Sequence, residues 1–216
     1  MESIKRQPRG ERRRTEVLEA VLRVIARDGP RAVTHRAVAQ EAGTSVRATT
    51  YYFKSKDELL TEAFIYYAAR ATARFEAIEK AAWREPIRTI DQAAAALAEA
   101  VASDLEGDRT GLIAELELVL EIGRNPALEE PYRHWQARLE EMLARSAKAL
   151  GSQGPERDAR VILAALRGLE VEALSRPSRA TSRKELSDFF RSLLHALWAS
   201  NAPGNRAHHK RPQRKR

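Results

Sequence analysis

The sequence predicts an all-α protein, and three observations support this prediction. Apolar residues recur at three- and four-residue spacing, as in Val17, Leu18, Val21, Leu22 and Ile25. Glycine, proline and capping residues interrupt these stripes at intervals that suit helices. No segment shows sustained alternation between hairpin turns, which would indicate strands. We therefore expect about nine helices.

Three helices are expected near the N-terminus. The first ends at Asp28-Gly29-Pro30, since glycine and proline both terminate helices. Thr34 is a suitable N-cap for a short second helix, His35 to Ala42. Gly43 supplies a tight turn, and a third helix follows at about Ser45 to Tyr52.

A long fourth helix is predicted from the spacing of Ser55 and Glu58, which is that of a capping box. Its apolar stripe continues to about Trp83, before Glu85-Pro86 stops it. The later breaks in the pattern predict further helices at roughly 88–106, 109–124, 127–150, 156–175 and 183–199.

Composition narrows the class of protein. Hydrophobic residues make up 43% of the 216 residues and charged residues 31%, so we expect a folded, soluble chain. Without cysteine it has no disulfide, zinc–thiolate or thiol chemistry. No run approaches the length of a membrane span and no secretory leader is evident, so no membrane partner and a cytoplasmic location are expected.

The formal charge of +8 lies mainly at the two ends of the chain. Residues 1–14 carry +4 and residues 201–216 carry +6, which leaves −2 for residues 15–200. Basic termini attract phosphate backbones, although a solubilising tail is an equally good interpretation of the C-terminal one.

The second and third helices have the pattern of a helix-turn-helix, with Ala39 and Gly43 where the helices approach. The third would lie in the major groove, with Val46, Arg47 and Ala48 nearest the bases. Arg47 is the expected base reader, because a guanidinium can bond two guanine acceptors. Other residues expected to contact DNA, mainly through phosphate oxygens, are Thr34, Thr44, Ser45, Thr50, Tyr51, Tyr52 and Lys56.

Residues about 12–64 resemble the DNA-binding domain of the tetracycline-repressor (TetR) family. The matching residues are Val38, Ala39, Ala42, Gly43, Ser45, Tyr52, Phe53, Ser55, Lys56, Asp57 and Leu59. Thr49 and Thr50 depart from the family pattern, which has a large aliphatic residue followed by tyrosine. A phosphate-contacting tyrosine is therefore not carried over to position 50, and Phe53 is interpreted as a core residue.

The resemblance implies a homodimer whose last two helices pair across a two-fold axis, here about 156–175 and 183–199. It also implies a long helix that joins the DNA-binding domain to a larger helical domain for ligand binding and dimerisation. We expect a basic disordered arm at 1–11, the DNA-binding domain at 12–54, the helical domain at 55–200 and a basic disordered tail at 201–216.

Two glutamates fall within apolar helical arcs and so need partners. Glu115 lies between Ile122 and Val119 on its helix, and Glu170 projects between two leucines on helix 156–175. Either could orient a polar or cationic ligand, or pair with Arg70, Arg124 or Arg167, and pairing is the favoured interpretation. The residues predicted to bind an effector are Trp83, Glu115, Val119, Trp135 and Glu170.

No catalytic or metal motif is evident among the five histidines, and no phosphate-binding glycine loop or nucleophile elbow occurs. We therefore predict no enzyme, no cofactor and no metal. The expected function is transcriptional regulation: a repressor that binds a palindromic operator as a homodimer and is released by a small, mainly apolar ligand. The alternatives are an architectural DNA-binding protein and a helical enzyme with an appended DNA-binding module. Residues 55–200 sum to −4, which argues against packaging.

Overall fold

The computed structural model describes residues 8–82, 89–176 and 182–199, and the described residues contain helices and no strand. This confirms the predicted all-α class. The nine α-helices of the described residues are α1 Pro8–Asp28, α2 His35–Glu41, α3 Val46–Tyr52, α4 Lys56–Ala82, α5 Ile90–Gly107, α6 Arg109–Glu121, α7 Glu129–Ala149, α8 Pro155–Ser175 and α9 Arg183–Ala199. Short 3-10 turns occur at Pro30–Ala32 and Pro126–Leu128.

The chain forms two compact units. The first comprises residues 1–80 and 100–139, and the second comprises residues 81–99 and 140–216. The DNA-binding helices therefore share a unit with α4 and α6, and α1 packs against both α2 and α6. The boundary between the DNA-binding domain and the helical domain, at residues 54 and 55, stays a prediction. The compact units are defined by packing and do not test where one function ends and another begins.

The N-terminal helix begins earlier than predicted. α1 starts at Pro8, so residues 8–11 of the expected arm are helical. Proline suits the first turn of a helix, where its missing N–H has no partner to lose. Arg12 and Arg13 both bind Glu16, one turn further on, and these pairs support the same turn. Residues 1–7 and the tail at 201–216 lie outside the described residues.

The core of the first unit explains why α1, α3 and α4 pack together. Val21 and Ile25 of α1 are fully buried, as are Phe53 after α3 and Leu59 in α4. Arg14 lies over the ring of Phe53, with its guanidinium carbon 5.2 Å from the ring centroid, and pairs with Glu62 of α4. Phe53 is therefore a core residue, as the sequence predicted.

The start of α4 carries the predicted capping residues in a slightly different arrangement. The Ser55 hydroxyl accepts a bond of 3.1 Å from the Glu58 amide. Glu58 returns its carboxylate to the amide of Lys54, at 2.5 Å, rather than to the amide of Ser55. The two bonds fix the sharp entry of the chain from α3 into α4.

The middle of α4 is tied to the turn between α5 and α6. Arg74 donates to Asp104 at 2.9 Å and to Asp108 at 3.4 Å. Asp108 also caps α6, because its carboxylate accepts from the amide of Gly111. Among the described residues, no helix combines the length and the hydropathy needed to span a membrane.

Candidate DNA-binding site

The turn between α2 and α3 depends on one glycine. Gly43 has a φ of 59°, in the left-handed region that residues with a Cβ adopt at a cost. The turn is closed by a 2.9 Å bond from the Thr44 amide to the carbonyl oxygen of Ala39. Ala39 is buried, so its small side chain lets the two helices approach. The predicted helix-turn-helix is confirmed.

Two hydroxyl groups cap the helices of this motif. The Thr34 hydroxyl accepts from the Ala37 amide at 3.1 Å, and the Ser45 hydroxyl accepts from the Ala48 amide at 3.2 Å. A hydroxyl has one hydrogen and two lone pairs, and capping uses a lone pair. The hydrogens of Thr34 and Ser45 stay available to donate to a phosphate oxygen.

One face of α3 is exposed and the opposite face is buried. Val46 is 45% exposed and Tyr51 is 73% exposed, and Arg47 and Thr50 are exposed with them. Thr49 is completely buried, and Ala48 and Tyr52 are half-buried. The exposed face is the one available to enter a groove.

The two threonines that replace the family residues use their hydroxyls within α3. The Thr49 hydroxyl donates to the carbonyl oxygen of Val46 at 2.8 Å, which satisfies it in the core. The exposed Thr50 hydroxyl lies 3.1 Å from the carbonyl oxygens of both Val46 and Arg47. Because these neighbours are acceptors, the single hydrogen of Thr50 is already donated within the helix.

Three consecutive aromatic residues at the end of α3 lie in three different environments. Phe53 is core, Tyr52 is half-buried, and Tyr51 projects outward. The rings of Tyr51 and Tyr52 meet edge to face at 5.1 Å between centroids. Lys54 lies 5.9 Å above the Tyr51 ring and donates to the carbonyl oxygens of Thr50 and Tyr51. These contacts orient Tyr51.

The arginines of α1 from Arg12 onward have acidic partners. Arg23 and Arg27 share Glu41 at 2.7 and 2.8 Å. Hydrogen bonds from Arg27 and then Arg23 hold the pKa of the Glu41 carboxyl below its ordinary value. With the pairs of Arg12, Arg13 and Arg14 given above, these five arginines contribute little unbalanced positive charge.

The positive charge around α2 and α3 is not neutralised in this way. Lys56, in the first turn of α4, instead donates to the backbone carbonyl oxygen of Arg31 at 3.2 Å. Around α2 and α3, five exposed cations have no acidic partner among the described residues: Arg31, Arg36, Arg47, Lys54 and Lys56. They lie in α2, in α3 or in the segments adjoining these helices, and such a concentration of positive charge attracts a phosphate backbone.

Three of these cations, Arg31, Arg36 and Lys54, are additional to the predicted DNA contacts. For Arg36, the sequence holds a usable signal: the positions one turn before and after it carry no acid, whereas Glu16 follows Arg12 and Arg13 at that spacing. Arg31 comes next to Lys56 only in the folded chain, whereas Lys54 lies close to both Tyr51 and Lys56 in the sequence.

The residues predicted to bind an effector occur in both units. Glu115 is 1% exposed in the first unit, and Glu170 is 7% exposed in the second. Glu115 and Glu170 each have an interaction partner within the protein, and the choice between an arginine pair and a ligand contact stays a prediction. Two of the arginines considered as partners bind other acids, Arg70 to Asp108 and Arg124 to Glu121.

The apolar arc predicted for α6 is narrower in the structure. Leu112 and Leu118 are buried and Val119 is half-buried, but Leu120 is 71% exposed. The buried face of α6 is centred near Glu115, so Leu120 points away from it. Trp83 lies outside the described residues.

Trp135 is buried between α4 and α7 and lies beside an open cleft. The cleft has a volume of about 510 Å³, and Glu115, Val119 and Glu170 do not line it. His134 is exposed and lines the cleft with Trp135. An effector role for the predicted residues stays a prediction.

A helix-turn-helix with an exposed third helix and flanking cations defines a DNA-binding regulator of the helix-turn-helix class. The comparisons with known proteins agree. "Bacterial regulatory proteins, tetR family" matches residues 17–63, and "Tetracyclin repressor-like, C-terminal domain" matches residues 88–196. The chain belongs to the TetR family of transcriptional regulators.

Two curated relatives are regulators. The chain is 38% identical over 68 residues to the HTH-type transcriptional regulator PksA of Bacillus subtilis (strain 168), a match that spans 32% of this chain and 33% of PksA. It is 24% identical over 171 residues to the HTH-type nicotine-responsive transcriptional repressor HdnoR of Paenarthrobacter nicotinovorans, which spans 77% of this chain and 86% of HdnoR.

Solved structures show the same fold. A transcriptional regulator from Rhodococcus sp. Rha1 superposes with a TM-score of 0.74 at 20% identity, over 86% of this chain and 96% of that one. The multidrug binding protein EbrR, complexed with ethidium, is 27% identical with a TM-score of 0.63, over 84% of this chain and 98% of EbrR.

Proposed function

We propose that the chain is a transcriptional repressor that binds a palindromic operator as a homodimer in the cytoplasm and is released by a small, mainly apolar molecule. The observation that carries the DNA-binding part is the charge distribution of the first unit. Cations around α2 and α3 lack acidic partners among the described residues, whereas Arg13, Arg23 and Arg27 of α1 are paired. An unbalanced positive surface around an exposed helix suits the major groove and its phosphates.

Base reading is assigned to the first turn of α3. Arg47 is exposed there and has no acidic partner in the described chain, so its guanidinium is available to two guanine acceptors. Val46, 45% exposed beside it, suits contact with a thymine methyl group.

Phosphate contacts are assigned to groups with a hydrogen left to donate. Thr34 and Ser45 accept within their caps and keep their hydroxyl hydrogens. Tyr51 has a highly exposed ring, and its hydroxyl has no hydrogen-bond partner in the described part of the protein. The hydroxyl hydrogen of Thr50 is donated within α3, so Thr50 cannot donate it to a phosphate. We therefore assign this phosphate contact to the Tyr51 hydroxyl.

The dimer is assigned to α8 and α9. Apolar or small residues form an exposed stripe along α8 at helical spacing: Val161, Ala164, Gly168 and Val171. On α9, Phe189 is 43% exposed, whereas its neighbour Phe190 is completely buried. A self-complementary apolar stripe supports a two-fold pairing of copies, in which each copy covers the same patch of the other.

Release by a small molecule is supported by the relatives. HdnoR is described as nicotine-responsive, and EbrR is a multidrug binding protein with complexes of ethidium and proflavin. An effector can lower operator affinity only if it prefers a conformation in which the two recognition helices no longer fit adjacent half-sites. Coupling of about 1–3 kcal/mol would weaken operator binding roughly five- to 150-fold.

The test is selection of bound fragments from random duplex DNA by the purified full chain. A homodimer that reads sequence should enrich a palindrome whose half-site centres are about 34–36 Å apart. Enrichment of no sequence would contradict the proposal and favour an architectural role.

A further inference from the structure

One face of α4 carries a polar side chain at every fourth position: Glu62, Tyr66, Arg70 and Arg74. Residues four apart lie above one another on a helix, so these four side chains form one stripe, called here the polar ladder. We propose that the polar ladder positions the DNA-binding helices for the operator, and that Asp108 at the start of α6 anchors it. This inference rests on the proposed binding of a palindromic operator.

The first half of the polar ladder binds α1. Glu62 pairs with Arg14, whose guanidinium also lies over the ring of Phe53 at the end of α3. The Tyr66 hydroxyl donates to the Glu19 carboxylate at 2.9 Å. Burial, followed by the bond to Glu19, raises the pKa of Tyr66, so the phenol keeps the hydrogen that it donates. Because α2 packs on α1 and α3 packs on α2, these two contacts fix the helix that supports the helix-turn-helix.

The second half of the polar ladder binds the turn between α5 and α6. The guanidinium carbon of Arg70 lies 5.5 Å from the centroid of the Tyr66 ring, which links the two halves. Arg70 also lies 3.5 Å from the Asp108 carboxylate. Arg74 donates to Asp104 at 2.9 Å and to Asp108 at 3.4 Å. Burial by itself lowers the pKa of Arg74, but the charge of Asp104 outweighs it and raises the pKa, so Arg74 stays charged.

Asp108 uses its two carboxylate oxygens for two purposes. Oδ1 accepts from the amide of Gly111 at 3.1 Å and so caps α6. Oδ2 faces Arg70 and Arg74. A Cβ at position 111 would lie 2.6 Å from Oδ1, so the glycine leaves the space that the carboxylate occupies. The cap of α6 is therefore also the point where α6 is joined to the polar ladder.

The polar ladder completes a ring of three helices in the first unit. α4 binds α1 through Glu62 and Tyr66, α4 binds α6 through Asp108, and α6 itself packs against α1. A helix held from two directions has less freedom than a helix held from one, so the ring limits the movement of α1 and of the helices that α1 supports. A dimer engages two half-sites at once only if its recognition helices match their spacing, and such pre-organisation increases affinity.

Two variants break the anchor without deleting the cap. Asp108→Asn keeps an oxygen for the Gly111 amide and removes the charge that faces the arginines, and Arg74→Gln removes one of those guanidinium groups. The two variants change the net charge in opposite directions, so an effect that they share cannot come from net charge. Both should weaken binding of the selected palindrome about fivefold or more and change binding of a single half-site less than about twofold.

The conservative variant and a matched control separate positioning from general damage. Arg74→Lys keeps the charge but not the fork that reaches two carboxylates, so its affinity for the palindrome should fall between those of wild type and Arg74→Gln. Arg138→Gln breaks the pair between Arg138 and Glu76, which joins α4 to α7 outside the polar ladder, and should leave palindrome binding unchanged.

The spacing between half-sites provides a second readout. Fluorescence anisotropy with the full chain compares the selected palindrome with palindromes that are one base pair longer or shorter at the centre. Wild type should discriminate against both altered spacings. Asp108→Asn and Arg74→Gln should discriminate less, because a less restrained α1 lets the recognition helices adapt to a different separation.

Three outcomes would overturn the inference: equal losses on the palindrome and the half-site, which indicate damage to the fold, unchanged palindrome binding in both anchor variants, or a loss of the same size in Arg138→Gln. The failure of the two proposals can be distinguished. A wild type that prefers no palindrome refutes the proposed function and this inference with it. A sequence-specific wild type whose anchor variants bind and discriminate as it does refutes this inference alone.

Discussion

The hydroxyl of Thr50 lies 3.1 Å from the carbonyl oxygen of Val46, one turn earlier in α3. The bond occupies the only hydrogen that this side chain could offer to DNA. Tyr51, the next residue, is 73% exposed and is flanked by Lys54 and Tyr52. A hydroxyl at position 50 and one at position 51 therefore have different chemical roles on the same helix.

The first prediction compares these two hydroxyls. Tyr51→Phe removes a free phenolic donor and should weaken operator binding by about 1 kcal/mol or more per half-site. Thr50→Val has nearly the same shape and should change affinity by less than about twofold, since its hydroxyl serves the helix. Anisotropy titrations of labelled operator measure both. A greater loss for Thr50→Val than for Tyr51→Phe would reverse the assignment.

The second prediction separates base reading from phosphate contact. Arg47→Ala should cost about 1–3 kcal/mol on the operator and relax preference at one position per half-site. Lys56→Ala should weaken all sequences alike and reduce the salt slope by about one. The measurement is affinity for operator and for random duplex across a salt series. If Arg47→Ala loses equal affinity for both duplexes, Arg47 does not read bases.

The third prediction concerns the dimer. Val171→Glu places a charge in the exposed stripe of α8, and two-fold symmetry repeats it, so several kcal/mol of association should be lost. Sedimentation equilibrium should show monomers. Leu120→Glu is the control, because Leu120 is a well-exposed apolar residue of the other unit. A folded Val171→Glu dimer would exclude this stripe as the interface.

Truncation after Arg176 is a less specific test of the same interface. It would remove the exposed Phe189, but also Phe190 and Leu194, which are 0% and 1% exposed in the core of the second unit. Loss of the dimer would then follow from loss of the fold.

The fourth prediction follows from the pKa of Glu41. Because Arg27 and Arg23 lower it in the folded chain, the ion pairs stabilise the protein above the unfolded pKa, and this stabilisation is lost as pH falls through the folded pKa. Glu41→Gln should therefore lower the free energy of unfolding at pH 7 by up to about 1 kcal/mol, since the pairs are partly exposed. The difference from wild type should shrink at acidic pH in urea titrations. A difference that grows on acidification would contradict the assignment.

Local chemistry made most of the fold predictable. Thr34 and Ser45 cap helices as their residue types suggest, and Gly43 adopts the positive φ that a tight turn requires. Apolar periodicity also located the buried Glu115 and Glu170. The helix caps, the tight turn and the burial pattern each depend on residues close together in sequence, so they can be predicted from the sequence.

Features that depend on distant residues were harder to predict. Leu120 continues an apolar arc in sequence, but it is 71% exposed. Likewise, Arg23 of α1 pairs with Glu41 of α2. Because the two residues are distant in sequence, the sequence alone does not indicate that the charge of Arg23 is neutralised. The cleft beside Trp135 arises from the approach of α4 and α7, which periodicity does not specify.

The most direct test of the central claim is the ratio of affinities for the selected palindrome and for a scrambled duplex of equal length and composition. It is measured by anisotropy with the full-length protein at physiological salt. A sequence-specific regulator should prefer the palindrome by about a thousandfold or more, with two chains per duplex. A ratio near one, with an affinity that depends on salt concentration but not on sequence, would contradict the account. The protein would then bind DNA through phosphate contacts alone.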